Sequence, residues 1–364
     1  MGPAVTGTMT WAAMDVHARS IHAATMDVQT GELGRLRFDG GRVEPVVEWL
    51  RVLPGPVHAC YEAGPTGFGL YRAATAAGVR CDVIAPSKTP RASGDRVKND
   101  RKDAEHLLRQ LMAGALTPIA VPAASLEAAR DLARAREQVR ADLMRCRHRL
   151  SKLLLRHGRV YDASSWTQAH RRWLGAQRFE HVNSELAYLD NLAACEGLLA
   201  RREGLDERLS HVAREDELWP LVRRLRAFRG IDTLSGLILA LEVGDFARFE
   251  RAVQLGSWLG LVPSRHQSGE SDTHGPITKT GSRYARRILV EAAWHYLRAP
   301  RIGVALAARH DGLPDHILQI AWRAQHRLHR VHRRLRAHKK PPNVVNVACA
   351  RELSCFLWAA ATAP

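Results

Sequence analysis

Residues 10–38 read TWAAMDVHARSIHAATMDVQTGELGRLRF, and this stretch sets the fold. Runs 11–15, 20–26 and 33–38 have the length and composition of strands. The gap after the first is His-Ala-Arg, and the gap after the second is Asp-Val-Gln-Thr-Gly-Glu, which is turn chemistry. Three strands in a meander are therefore expected first. Further along, helical spacing over 42–53 stops at Pro54-Gly55-Pro56, and 57–61 is a compact strand. A helix over 66–77 ends at Gly78, and strand 79–85 is closed by Pro86.

A meander followed by alternating strands and helices is the order of a ribonuclease-H-like sheet, assigned here to an α/β domain over 1–120. The composition changes after Pro122. Residues 125–157 contain neither Gly nor Pro and are dense in Ala, Leu and Arg. Leu126, Ala129, Ala133 and Arg136 share one helical face, as do Leu143, Leu150 and Leu154. A second helical stretch over 183–218 is interrupted only by Gly197 and Gly204. Region 121–218 thus reads as an antiparallel helical hairpin or coiled coil. Pro220 opens a third, mainly helical region, 219–364. It contains a helix to Glu242, a Ser/Gly/Thr-rich loop over 263–281, and helices over 282–297 and 314–338. The fold class is multidomain α/β plus α.

Lys and Arg number 54 against 37 Asp and Glu, a net charge of +17, while apolar residues make up 46% of the chain. The chain can bury a core, and its excess charge favours a polyanionic partner through counterion release. The six cysteines are scattered with no C-x-x-C, which argues against a disulfide framework or a cysteine zinc site. Neither a signal peptide nor an apolar stretch of bilayer length is apparent, so a cytoplasmic, nucleoid-associated protein without a membrane partner is expected.

Four acids stand where phosphodiester chemistry would want them. Asp15 ends the first strand, Glu62 follows the strand 57–61, and Asp100 and Asp103 are three apart at a helix start, hence on one face. Hard oxygen ligands of this kind hold Mg²⁺. Each acid also has an ordinary reading: turn residue, solvated loop acid, or helix cap. Asp27 lies in the same Met-Asp-Val context as Asp15 but immediately precedes a turn, which favours Asp15.

Met14-Asp15-Val16-His17, the run from Tyr61 to Gly67, and the run from Lys98 to Ala104 together resemble the DEDD transposases of the insertion-sequence one-ten family. The third region adds Gly230-Ile231-Asp232, Leu241 to Asp245, Gly260 to Pro263, Gln267-Ser268-Gly269, and Lys279 to Arg283 with Arg286 and Arg287. These motifs fall in family order across residues 10–300. One mild departure is Asn99, where the family often has Thr. The resemblance implies a first domain similar to the Holliday-junction resolvase RuvC. In it, Asp15, Glu62, Asp100 and Asp103 bind Mg²⁺. It also implies that Ser268 is a nucleophile forming a transient phosphoserine link to DNA. Lys279, Arg283, Arg286 and Arg287 are candidate nucleic-acid contacts. Donor and target DNA, an element-encoded structured guide RNA and a homo-oligomer, dimer or tetramer, are the partners implied.

A serine hydroxyl needs activation, and His266 and His274 are the bases nearest in sequence. Read without the resemblance, Ser268-Gly269 is ordinary loop chemistry among Ser264, Ser271 and Thr273. Residues 230–236 suit either a phosphate-gripping helix-hairpin-helix or a plain helix junction. Residues 323–340 carry eight Lys or Arg and no acid. His326, His329 and His332 have helical spacing there, but the flanking arginines would repel a metal cation, so a phosphate-contacting helix is expected instead. Two alternative functions stay open at this point: a metal-dependent nuclease or junction resolvase without serine chemistry, and a non-enzymatic nucleic-acid-binding protein.

Overall fold

In the computed structural model the described residues are 9–89, 100–215, 217–269 and 271–364, and only the backbone is described for Ser87, Asp100 and Arg101. The chain divides into two compact units, 1–122 and 123–364.

The first unit is built on a mixed five-stranded sheet. Strands β1 (Thr10–Val16), β2 (Ser20–Asp27) and β3 (Leu33–Asp39) form the expected meander. Helix α1 (Glu44–Val52) then leads to β4 (Val57–Glu62), and α2 (Gly69–Ala76) leads to β5 (Arg80–Ile84). The order is β3-β2-β1-β4-β5, with β1, β4 and β5 parallel. This is the ribonuclease-H-like arrangement the sequence predicts.

Strand alternation sorts the side chains onto two faces. Met14 and Tyr61 bury on one face with Val46 and Leu50 of α1 and with Leu70 and Ala74 of α2. Ala13 and Cys60 bury on the other, beneath Ala104, Leu107, Leu108 and Leu111 of helix α3 (Asp100–Met112). Both faces are covered, which explains the nearly continuous apolar reading of β1 and β4.

The second unit begins with a long helical pair, α4 (Ala124–Arg156) and α6 (Val182–Val212), with the short α5 (Gln168–Gly175) between them. Leu143, Leu150 and Leu154 of α4 are buried, as their spacing predicts. Around the pair's small core, the Tyr188 hydroxyl donates to the Leu174 carbonyl at 2.6 Å. Helix α6 runs unbroken through Gly197 and Gly204, because one helical glycine costs only about 1 kcal/mol and packing outweighs it.

The remaining elements are α7 (Trp219–Leu225), α8 (Thr233–Val243), α9 (Ala252–Trp258), β6 (Pro263–Ser268), β7 (Ser271–Ile277), α10 (Arg283–Ala293), α11 (Val304–His310), α12 (Asp315–Ala337) and α13 (Pro342–Thr362). The buried α8 lies at their centre, and α13 packs into the same core.

Two expectations need correction. Residues 263–281 are not a simple loop, because β6 and β7 form an antiparallel hairpin. Most of its side chains are exposed, so neither strand has a core-facing set to create an apolar alternation. The second correction concerns residue 338 onward, where the sequence suggested no element and no stretch of bilayer length. By length and composition α13 is apolar enough to cross a membrane. Its Cys349, Ala350, Leu353 and Leu357 are instead buried among the other helices, the pattern of a core helix.

Candidate active site

Asp15 and Glu62 belong to neighbouring parallel strands. Met14 is paired with Tyr61 in the β1–β4 register, so the residues that follow are level with each other. Two-residue periodicity puts Asp15 with Ala13 and Glu62 with Cys60, on the face that α3 covers. The backbone therefore carries both carboxylates to the C-terminal edge of the sheet on one side. His17 Nε2 lies 3.1 Å from Asp15 Oδ2, and the Thr89 hydroxyl donates to Glu62 Oε1 at 2.9 Å. Such contacts fix carboxylate rotamers.

Asp100 and Asp103 occupy the first turn of α3. The helix packs against β1, β2 and β4, and Arg35 of β3 donates to Glu105 at 2.6 Å. The Asp100 side chain and residues 98 and 99 lie outside the described residues. Among the described residues no three His, Cys, Asp or Glu side chains are grouped closely enough to hold a metal ion. As chemistry, the donor set fits a hard divalent cation, since every candidate is a carboxylate oxygen. Asp27 does something else: its Oδ1 accepts from the Gln29 and Thr30 amides at 2.7 and 3.3 Å, closing the β2–β3 turn.

Ser268 is the last residue of β6 and pairs with Ser271 of β7. Gly269, which follows it, has a positive φ of +55°, a conformation that favours glycine. Ser268 is thus displayed, exposed, at the tip of the hairpin. Arg265 grips Asp272 through two hydrogen bonds of 2.7 and 2.9 Å and ties the strands together below the tip. In the register His266 faces Thr273 and His274 faces Arg265, so both histidines lie down the strands from the serine.

The base of the hairpin is fixed by glycine. Lys279 donates its amide to Gly260 O at 3.1 Å, and Thr278 donates to Val262 O at 2.9 Å. A Cβ on Gly260 would strike the backbone of Lys279 and Thr280, and one on Gly281 would strike Trp258 O. These two glycines let the 258–262 and 278–281 segments touch backbone to backbone. That contact is the physical content of the Gly-Leu-Val-Pro and Lys-Thr-Gly motifs.

Comparison with known proteins bears on both units. Residues 12–158 match the family model of the DEDD transposases of the IS110 type, and 222–306 match that of the transposase IS116/IS110/IS902 family. The y4qE protein of Sinorhizobium fredii, which carries a transposase name, is 42% identical over 84% of this chain and 75% of its own length. The transposase for insertion sequence element IS1533 of Leptospira borgpetersenii is 31% identical over 90% of this chain and 96% of its own. The chain belongs to the IS110 family of transposases. A shorter match links it to the transposase for element IS1111A of Coxiella burnetii, 34% identical over 28% of each chain.

The family assignment makes DNA the transposase's substrate class, and a DEDD domain implies a divalent metal. The two matched segments contain the four acids and Ser268, respectively. Of the candidate nucleic-acid contacts, Lys279 and Arg283 are the outward ones. Lys279 is exposed with a φ of +55°, and the Arg283 guanidinium lies 4.8 Å over the Tyr284 ring. Arg286 instead donates to Leu259 O and Thr280 O at 2.8 and 2.7 Å, clamping the hairpin base. Arg287 bridges Glu137 and Glu291, both at 2.6 Å.

Glu137 is the hub of this brace. It is buried on α4 and receives Arg136, Arg140 and Arg287. Burial pushes its carboxyl up, but the three guanidinium groups outweigh burial and hold it below the ordinary value. Sequence reading missed this hub because its partners come from two helices 150 residues apart. In the 230–236 segment Asp232 Oδ1 accepts from the Ser235 amide at 2.8 Å and caps α8. Gly230, with φ +84°, is needed where α10 passes close by at Ala292.

Proposed function

We propose that this IS110-family transposase is a DNA recombinase in which Ser268 attacks a DNA phosphodiester and Asp15, Glu62, Asp100 and Asp103 hold Mg²⁺. The observation that carries the reading is the display of Ser268: a serine exposed at the end of β6, on a hairpin whose base is locked by Gly260, Gly281 and Arg286. A tip so held can enter a DNA backbone, which a buried serine cannot do.

In the attack, the Ser268 Oγ–P bond forms as one P–O bond of the DNA breaks. The proton given up by serine ends on the released DNA hydroxyl. Attack by a hydroxyl from a second DNA end reverses the step and restores the serine. Bond count is conserved, which suits strand exchange rather than hydrolysis. A divalent ion bound by the four acids would supply charge stabilisation at a DNA phosphodiester. Thr89 and His17 orient the Glu62 and Asp15 carboxylates for that role.

The same reading takes a structured guide RNA as the source of sequence choice, a homo-oligomer as the working form, and the cytoplasm as the place of action. The exposed Lys279 and Arg283 flank the hairpin base and would meet phosphates there.

Covalent trapping tests the serine. Purified protein, flanking element RNA and labelled donor and target DNA are mixed with Mg²⁺, then denatured and resolved. A protein–DNA adduct in wild type that disappears in Ser268→Ala is expected. Cleaved DNA without an adduct in either protein would instead leave a metal-dependent nuclease.

A further inference from the structure

A cavity of about 720 Å³ lies along the C-terminal half of α12, and its walls are cationic. Arg330, Arg333, Arg334 and Arg336 line it together with His329 and His332, and Leu297 and Pro300 close the far side. No acid contributes to the lining, and among the described residues none of the four arginines has a carboxylate partner. Arg327, on the same helix, shows the ordinary alternative, bound to Glu352 through two bonds of 2.8 and 3.1 Å. Four exposed like charges around one cleft attract an anion to it.

His332 packs beneath these arginines, 1% exposed, with both ring nitrogens enclosed. Like charges of this density exclude a metal ion from the cleft.

One rim of the cavity is aromatic. His326 also lines the cavity and packs edge-to-face with Trp322 at 4.5 Å, one turn earlier on α12. Trp322 is 40% exposed. An exposed indole beside a row of unpaired guanidinium groups is the pairing that holds unpaired nucleotides, phosphate on arginine and base on ring. A fully paired duplex offers no free base face to Trp322.

We infer that this cleft binds a single-stranded polynucleotide segment, its phosphodiester backbone in the arginine cavity and one base against Trp322. The site is separate from Ser268 and from the four acids, and it needs neither for its chemistry.

The test uses the full chain in EDTA, so that failure of the serine and metal reading has no bearing on it. Fluorescein-labelled dT12, U12 and a 12-base-pair duplex are titrated and followed by anisotropy over a range of salt. Wild type should bind the single strands several-fold tighter than the duplex and quench indole fluorescence. The double variant Arg330→Ala/Arg333→Ala changes only exposed residues. It should weaken single-strand binding about tenfold and reduce the log Kd against log salt slope by about 1.4, the share of two phosphate contacts. Trp322→Ala should weaken binding at least about fivefold, with Trp322→Phe retaining most of the affinity.

Tighter binding of U12 or of dT12 identifies RNA or DNA as the natural strand, and either supports the cleft. A charge-matched control, Arg42→Ala/Arg51→Ala, should change affinity less than twofold. Equal losses in the control and the cleft variant would overturn the proposal. So would duplex binding as tight as single-strand binding with no effect of Trp322→Ala.

Discussion

Asp15 and Asp27 sit in the same Met-Asp-Val tripeptide, yet only Asp27 is bound by the amides of the turn that follows it. Asp15 is instead level with Glu62 on the α3 face of the sheet, and that placement argues for its role in the chemistry. Asp15→Ala and Glu62→Ala are each expected to lower recombination at least about a hundredfold, measured by product formation on donor and target DNA. Circular dichroism and Tm should stay near wild type, because neither side chain belongs to a core cluster. Glu137 predicts a pH effect of defined sign. Its folded pKa is depressed, so its contribution to stability is complete above the ordinary glutamate value of 4.5 and fades as pH falls through the lower folded value. Glu137→Gln should cost about 3 kcal/mol at neutral pH, the range for breaking a buried ion pair. Urea unfolding of both proteins at pH 7 and at pH 4 or below should show that gap narrowing in acid.

At the scale of elements, the hairpin β6–β7 depends on backbone contacts that only glycine permits. Gly281→Ala adds a Cβ against Trp258 O at a φ of +66° and should cost about 1–3 kcal/mol. Hydrogen exchange should show lost protection in 263–277 first, and recombination should fall although Ser268 is intact. Helix α6 gives a prediction of opposite sign. A Cβ at Gly197 meets nothing within 4 Å, so Gly197→Ala should raise stability by about 0.5–1 kcal/mol in urea unfolding. The same elements show what sequence can carry. The sheet was legible because burial on two faces writes apolar strands and the turns between them are spelled by Asp, Gly and Pro. The hairpin was not, because strands exposed on both faces leave no alternation. Helix α13 was missed because it is apolar with no regular polar face, so helical periodicity is weak in it.

For the whole molecule, the choice of the four acids and Ser268 as candidates rests on ordered motifs across residues 10–300 that resemble one family. Residue spacing alone left each of them open to an ordinary reading. The arginines were less legible. A sequence cannot distinguish Arg286 and Arg287, spent on carbonyls and carboxylates within the fold, from cations directed at phosphate. The cleft on α12 was half visible, as a basic helix. Its depth and the burial of His332 arise from packing between segments far apart in the chain. Serine chemistry in this transposase is open to a direct test by covalent trapping. Wild type incubated with element RNA, both DNA substrates and Mg²⁺ should yield a denaturation-resistant protein–DNA adduct that maps to Ser268 and is absent from Ser268→Ala. Recombination by Ser268→Ala at the wild-type rate, or cleavage without any adduct, would rule out Ser268 as the nucleophile.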